Sequence, residues 1–442
     1  MFQTFVIRSR KEDWLKQGWQ FRAAMRKAGR EDFGAQRAAS SRKWTAAAAF
    51  LAMAVAVPLG AQQSRVYRDG TSWVEEITGT LPASRQVRIT TDLGSVQVQG
   101  SSAQVTYIIR KRSYLPSQEA ARRQFEQMHI STIKNAEGDL IEGRLATRNL
   151  NRFTAEFIVQ IPRELEMLKV ETRGGPLNFS SIVATILGST SGGSVTLDNL
   201  DGSVKITSGG GNVEVGRLGS DFSLITAGGD VHIKNVAGQT HINIGGGKVY
   251  VGSTKGGFIQ TGAGNIDVRK CSGDLGASSG GGNLNLGDMS GAVVAGTTGG
   301  SVHVDSAKGR VQVSTGGGSV ELFNLSQGAQ VETGAGGITA EFVGKRGSFS
   351  DSSLHTAAGD VIVYLPKDLP VTVHASSDMA TGHGIASEFS GLRITREGSN
   401  FAPRSMYAEG SLNGGGPALK VRTIMGQIDF RQSHWQAHWQ AH

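Results

Sequence analysis

Large apolar residues recur along the middle of this chain every 18 positions. They stand at Leu177, Val195, Val213, Val231, Val249, Ile266, Leu284, Val302, Val320 and Ile338, with one step of 17 between Val249 and Ile266. Two positions after most of these comes a second apolar residue, as at Phe179, Leu197, Val215 and Ile233. A third follows five positions after the start, at Ile182, Leu200, Leu218, Val236, Cys271, Met289, Leu325 and Val343. Later in each unit a further alternating pair appears, as in Val204/Ile206, Phe222/Leu224 and Val311/Val313. Alternation with period two predicts short strands with one inward face. Glycine clusters such as Gly209-Gly210-Gly211 and Gly316-Gly317-Gly318 separate the units, and glycine accepts the positive φ that tight corners demand.

Short strands cannot bury an apolar face alone. Stacked units can, because equal offsets then form continuous apolar columns. The pattern predicts an all-β fold, a parallel β-solenoid wound as a right-handed β-helix of about ten 18-residue coils. The flanks predict a β-rich N-terminal cap, with strands at 73–77, 86–99, 104–114, 139–146 and 153–161. One helix is expected at 117–128, with Ala120, Phe125 and Met128 on its apolar side. After Val343 the period breaks, then resumes at Val361, 23 residues after the last unit start, Ile338. A strand pair at 419–423 and 427–430 is expected to close the body. The domain reading is 1–61 signal peptide, 62–173 cap, 174–364 solenoid, 365–431 C-terminal coils and cap, and 432–442 a His/Trp tail.

Charge changes this picture only at the start of the chain. Of a formal +8 over 442 residues, the first 43 supply +7, from eleven Lys or Arg and four Asp or Glu. An apolar run from Thr45 to Leu59 and the small pair Gly60-Ala61 follow. A basic segment, a short apolar core and a small-residue step describe a secretory signal peptide, cut after Ala61 and started from Met1 or Met25. Left uncut, the segment would anchor the chain to a membrane. The remainder carries 34 basic and 33 acidic residues. No phosphate-tracking surface is indicated, and no nucleic-acid partner is expected. A single Cys excludes an intrachain disulfide framework.

Several stretches resemble a bacterial exported family of unknown function, the "putative adhesin" family. They are GDVIVYLP at 359–366, GGGPALKVRTIMGQIDFR at 414–431, IPRELEMLKVETRGG at 161–175 and the repeated Gly-[Ser/Asn/Asp]-apolar-x-apolar steps. The order of leader, strand-rich cap, coils and final GGGP segment carries the resemblance, over most of 85–431. It implies an extracytoplasmic β-solenoid with a surface-binding or envelope role, and it supplies no catalytic residues.

Letter-level motifs dissolve into the repeat. Gly276-Ala277-Ser278-Ser279-Gly280 spells a nucleophile elbow, but it reads as a coil corner and no helix follows. Gly262-Ala263-Gly264 and Gly334-Ala335-Gly336-Gly337 open strands rather than helices, so they are not phosphate loops. Asp230, Asp267 and Asp360 follow glycine corners without the regular recurrence of a calcium nonapeptide. Cys271 sits in an apolar column and reads as a core plug. His232, His241 and His303 read as solvated surface groups. Outward positions run Asn178, Thr196, Glu214, His232, Tyr250, Asp267, Asn285, His303, Glu321, so no neighbouring coils pair carboxylates there. In the tail, His434, His438 and His442 would share one face of a helix, where two histidines can half-fill a transition-metal site that needs a further ligand; a frayed terminus is the plainer reading. No cofactor is expected. The expected function is a non-enzymatic adhesin or envelope-associated binding protein in the periplasm, the cell envelope or outside the cell. Its partner would be an envelope component, a surface polysaccharide or a protein. The alternative is a polysaccharide lyase or glycoside hydrolase on a parallel β-helix, marked by two carboxylates in one cleft.

Overall fold

The structure, a computed structural model, describes residues 62–135, 138–147, 150–397 and 405–433. The expected leader 1–61 and His434, His438 and His442 lie outside the described residues. The described chain is all-β with a single helix, and parallel pairing dominates.

The 18-residue spacing is the register of the sheet. Val195 pairs with Val213, Val213 with Val231, and Val302 with Val320. Strands such as Val213–Leu218 stack on one another along what we call the front face. Strands such as Phe222–Thr226 stack along the back face. Inward residues of both faces, among them Val213, Val215, Phe222 and Leu224, are buried in one continuous core. Stacking at about 4.8 Å per strand keeps like residues in contact and extends each apolar column. The 17-residue step arises at a corner: three positions separate Val236 from Gln239, but two separate the paired Thr254 and Gly256. One column position departs from expectation. Phe342, not Val343, pairs with Leu325 and fills the core, through a register shift after Leu322.

Glycines at the corners answer two demands. Gly229 takes φ of 99°, where a side chain is strained. Gly318 has no such backbone, but a Cβ there would collide with the Gly300 carbonyl of the coil below. Successive corners are simply too close for side chains.

At the N-terminal end both faces continue past the repeats. Front-face stacking runs through Ser95–Gly100 and Phe153–Ile161, then turns antiparallel through Val105–Ser113, Ser72–Leu81 and Gln63–Asp69. Back-face stacking runs through Glu164–Thr172, Gln86–Thr91 and Gly138–Leu145, and ends in Met128–Asn135. The single strand expected at 86–99 is therefore two, one on each face, with Gly94 at φ 120° between them. The helix Gln118–Phe125 packs against Val105–Ser113, Ser72–Leu81 and Met128–Asn135. Ser117 caps it by accepting the Ala120 amide. Its buried side is Ala121, Gln124 and Phe125 rather than Ala120, and Met128 already belongs to the next strand.

The C-terminal end corrects the sequence reading. The strand Ala418–Gln432 is continuous and pairs with Ser352–Ala358 on the back face and Val361–Leu365 on the front. On its other side lies Val371–Ser387. The C-terminal strand thus slots between two segments that precede it and does not close the body. Closure falls to Val371–Ser387, Ser405–Leu412 and the edge strand Arg393–Glu397.

Candidate functional site

Glycine corners leave backbone groups that need partners, and the chain supplies them from its own side chains. Thr190, Ser208, Thr226, Thr261, Ser279, Thr297 and Thr315 end the back-face strands, Thr333 stands two residues before the end of its own, and all are buried. Their hydroxyls donate to glycine-corner carbonyls, as Thr315 Oγ1 does to Gly300 O at 2.8 Å and Thr297 Oγ1 to Gly282 O at 2.9 Å. A buried hydroxyl with a partner replaces a buried carbonyl without one. This ladder is invisible when only apolar positions are tracked. Its signal is a Thr or Ser just before each glycine cluster. Asp and Asn serve corner amides in the same way. Asp230 Oδ1 accepts from the Lys248 amide at 2.9 Å, and Asp360 Oδ1 accepts from the Gln427 amide at 2.8 Å. Two of the three aspartates weighed for calcium are thereby structural braces. No group of three or more potential metal ligands occurs among the described residues.

Ser278 lies within the back-face strand Leu275–Ser279, not at a corner, and its register neighbours are Gln260 and Gly296. Neither can act as a base. At Gly262-Ala263-Gly264 the corner presents carbonyls: Ser279 Oγ donates to Gly264 O at 2.9 Å. Cys271 is fully buried between Thr254 and Met289 in the front column, and burial pushes its thiol up.

The outward front column keeps its expected order, from Asn178 to Glu321, in adjacent register. Its histidines are engaged. His232 stacks on Tyr250 with ring centres 4.8 Å apart. His303 lies 2.8 Å from Asp305 and 3.1 Å from Glu321. His241 belongs to the back face, beside Phe258.

The strand-rich N-terminal region holds a polar cleft of about 690 Å³ that sequence reading did not anticipate. Thr90 forms its floor, with Glu142 and Glu171 in register on the two adjoining strands. Two strand spacings, about 9.6 Å, separate their backbones. The carboxylates are held by cations. Glu171 meets Lys169 at 2.9 Å and Arg88 at 3.1 Å, Glu142 meets Arg144 at 2.6 Å, and Asp92 meets Arg173 at 3.1 Å. Hydrogen bonding from Lys169, with Arg88 beside it, outweighs partial burial and holds Glu171 below the usual carboxylate range. A general acid in glycoside hydrolysis needs the opposite shift.

Residues 87–275 match the family described as Toastrack DUF4097. No curated protein matches the chain. Among solved structures, it is similar to a "putative cell adhesion protein" from Clostridium sporogenes, at 9% identity over 81% of this chain and 100% of that one, with a TM-score of 0.18. It is also similar to a "putative adhesin" from Parabacteroides merdae, at 13% identity over 67% of this chain and 98% of that one, TM-score 0.26. A third is a "putative lipid binding protein" from Parabacteroides distasonis, at 12% identity over 67% and 98%, TM-score 0.21. None of these pairs superposes closely. The matched span, residues 87–275, runs from the cap strands into the regular coils, where corner glycines, hydroxyl ladder and alternating core columns all coincide.

Proposed function

We propose that the chain is a non-enzymatic, extracytoplasmic β-solenoid protein that serves as an adhesin or envelope-associated binding protein. The observation that carries this is the state of its carboxylates. In the cleft Glu142, Glu171 and Asp92 are each engaged by a cation, and around the glycine corners Asp230 and Asp360 are spent on backbone amides. Coils and a cleft whose carboxylates are committed to cations and backbone amides are suited to presenting surface, not to moving protons. The domain reading fits this use: leader 1–61, cap 62–173, right-handed coils 174–364, about ten in number, a C-terminal closure 365–431 and a tail 432–442. No helix among the described residues is long and apolar enough to cross a membrane; any anchoring would fall to the leader if uncut.

Fractionation of the native host, with N-terminal sequencing of the recovered protein, tests the placement. Recovery outside the cytoplasm with a start at Gln62 is expected. Cytosolic recovery with the leader intact would overturn it. The glycosidase reading keeps one supporting feature, the two glutamates bracketing Thr90. Glu142→Gln and Glu171→Gln should leave any glycan turnover unchanged; loss of turnover in both would restore the enzyme.

A further inference from the structure

The back face carries a strip with no formal charge. From Ser223 to Ser314, over six adjacent strands, no outward position is Asp, Glu, Lys or Arg. The strip begins beyond Lys205 and ends before Glu332. On it stand three exposed apolar side chains, Ile225 at 47%, Phe258 at 40% and Val294 at 40% exposure.

Phe258 is the centre of this surface. In the next coil its register partner is Gly276, and a Cβ built there would come 2.6 Å from Phe258 Cδ2. The ring therefore leans across the glycine, in the space a side chain would fill, towards Val294 one strand further. Asn243, Gln260 and Ser278 form the neighbouring column, directly alongside. Their side chains make no hydrogen bond among the described residues. Outward groups on the front face of the same coils are paired instead: Asn235 with Ser253, Asp288 with Ser306, His303 with Glu321.

We propose that this strip binds a neutral polysaccharide, with a sugar ring stacked on Phe258 and its hydroxyls bonded by Asn243, Gln260 and Ser278. The idea rests on the binding-protein reading and names its site and ligand class. An aromatic ring offers an apolar face to the C–H side of a pyranose, and amides and hydroxyls both donate and accept. An acidic glycan, phosphate or nucleic acid would find no cation here. A second copy of the chain is a poorer occupant. Five strand spacings give a strip about 24 Å long. Two outward residues wide, it offers a few hundred Å², against roughly 800 Å² per partner in a stable protein interface.

Affinity electrophoresis of the full chain in gels containing dextran, mannan or hydroxyethylcellulose tests this, with polygalacturonate as the acidic comparison. Retardation by at least one neutral polymer is expected. Phe258→Ala should weaken it about tenfold or more, and Gly276→Ala should do the same by displacing the ring. His303→Ala on the front face should leave it unchanged. Each variant is checked by thermal unfolding, since none of these positions lies in the buried core and folding should be intact. Retention by polygalacturonate alone, full retention in Phe258→Ala, or no retention by any neutral polymer would each overturn the proposal. A dimer in light scattering that Phe258→Asp dissolves would also overturn it and assign the strip to a second copy. Binding of the wild-type chain to host envelope that survives Phe258→Ala removes this site but leaves the broader reading; absence of any envelope binding removes the broader reading.

Discussion

The two faces of the coil share one period and one core, yet they end their strands differently. Front-face strands finish inward on apolar residues such as Leu200, Leu218, Cys271 and Met289. Back-face strands finish on hydroxyls such as Thr226, Thr297 and Thr315. The corners beyond explain this. Single glycines follow the front-face strands, whereas glycine clusters follow the back face and bring carbonyls close to the core, where a hydroxyl can reach them. Outward, the contrast reverses. Several front-face side chains are charged and paired, as Arg217 is with Asp201 and His303 with Glu321, and the side chains of the central back face carry no formal charge. One repeat can therefore hold its interior constant and vary each face independently, because period-two alternation separates the two sets of residues.

The largest effect should come from breaking what the faces share. Val213→Asp on the front and Leu224→Asp on the back each place a carboxylate in the common core, where both wild-type residues are fully buried. An unpaired buried charge costs several kcal/mol. Both variants should be strongly destabilised in urea titration, by similar amounts. A tolerant back-face variant would mean that the two columns do not bound one core.

A smaller effect should separate the faces. Thr315→Val keeps the shape but leaves Gly300 O without the hydroxyl and Gly318 N without its acceptor. Unsatisfied buried groups cost about 1–3 kcal/mol. The ladder has one natural gap, Ile244, in register between Thr226 and Thr261. Ile244→Thr should change stability by no more than about 1 kcal/mol, since a gained hydrogen bond offsets lost apolar burial. Equal losses in the two variants, by the same urea measurement, would show that position and not the hydroxyl matters.

The core columns were legible because apolar spacing and register are the same quantity in a solenoid. Val213, Val231 and Val302 announce their partners by counting. The hydroxyl ladder has the same period but lies in polar letters, so hydropathy alone hides it. The slotted C-terminal strand was not legible at all. Ser352 pairs with Leu419, 67 positions away, and no periodic signal connects them. The resemblance carried by GGGPALKVRTIMGQIDFR marked the segment without placing it. Phe258 became informative only once register set it beside Gly276. The cleft around Thr90 needed strands distant in sequence to be adjacent, which pattern reading of one strand cannot supply.

The smallest effect should appear where the faces run into the N-terminal region, as opposite responses to pH. Glu76 lies on the front-face extension, buried beneath Arg65 and Arg110, with Arg110 Nε at 2.9 Å. Burial pushes its carboxyl up, but hydrogen bonds from Arg110 and Arg65 outweigh that and leave it below the usual range. Asp139, on the back-face extension, is buried with neither oxygen hydrogen-bonded, and desolvation pushes it up despite Lys134 nearby. The signs follow from linkage. A lowered carboxyl stabilises the fold above its unfolded pKa, about 4.3 for Glu, and that contribution is lost as pH falls through the lower folded value. A raised carboxyl penalises the fold once pH exceeds its unfolded pKa, about 3.9 for Asp, and the penalty is complete above the folded value. Glu76→Gln should therefore lower stability at neutral pH and flatten its loss in acid. Asp139→Asn should raise stability at neutral pH and leave it unchanged in strong acid, because both forms are then neutral. Urea midpoints across pH 2–8 for the two variants should diverge from wild type in opposite directions as pH rises. Curves that move together would mean that the Asp139 carboxylate has a partner in solution, and that the two faces meet the N-terminal region with the same electrostatics.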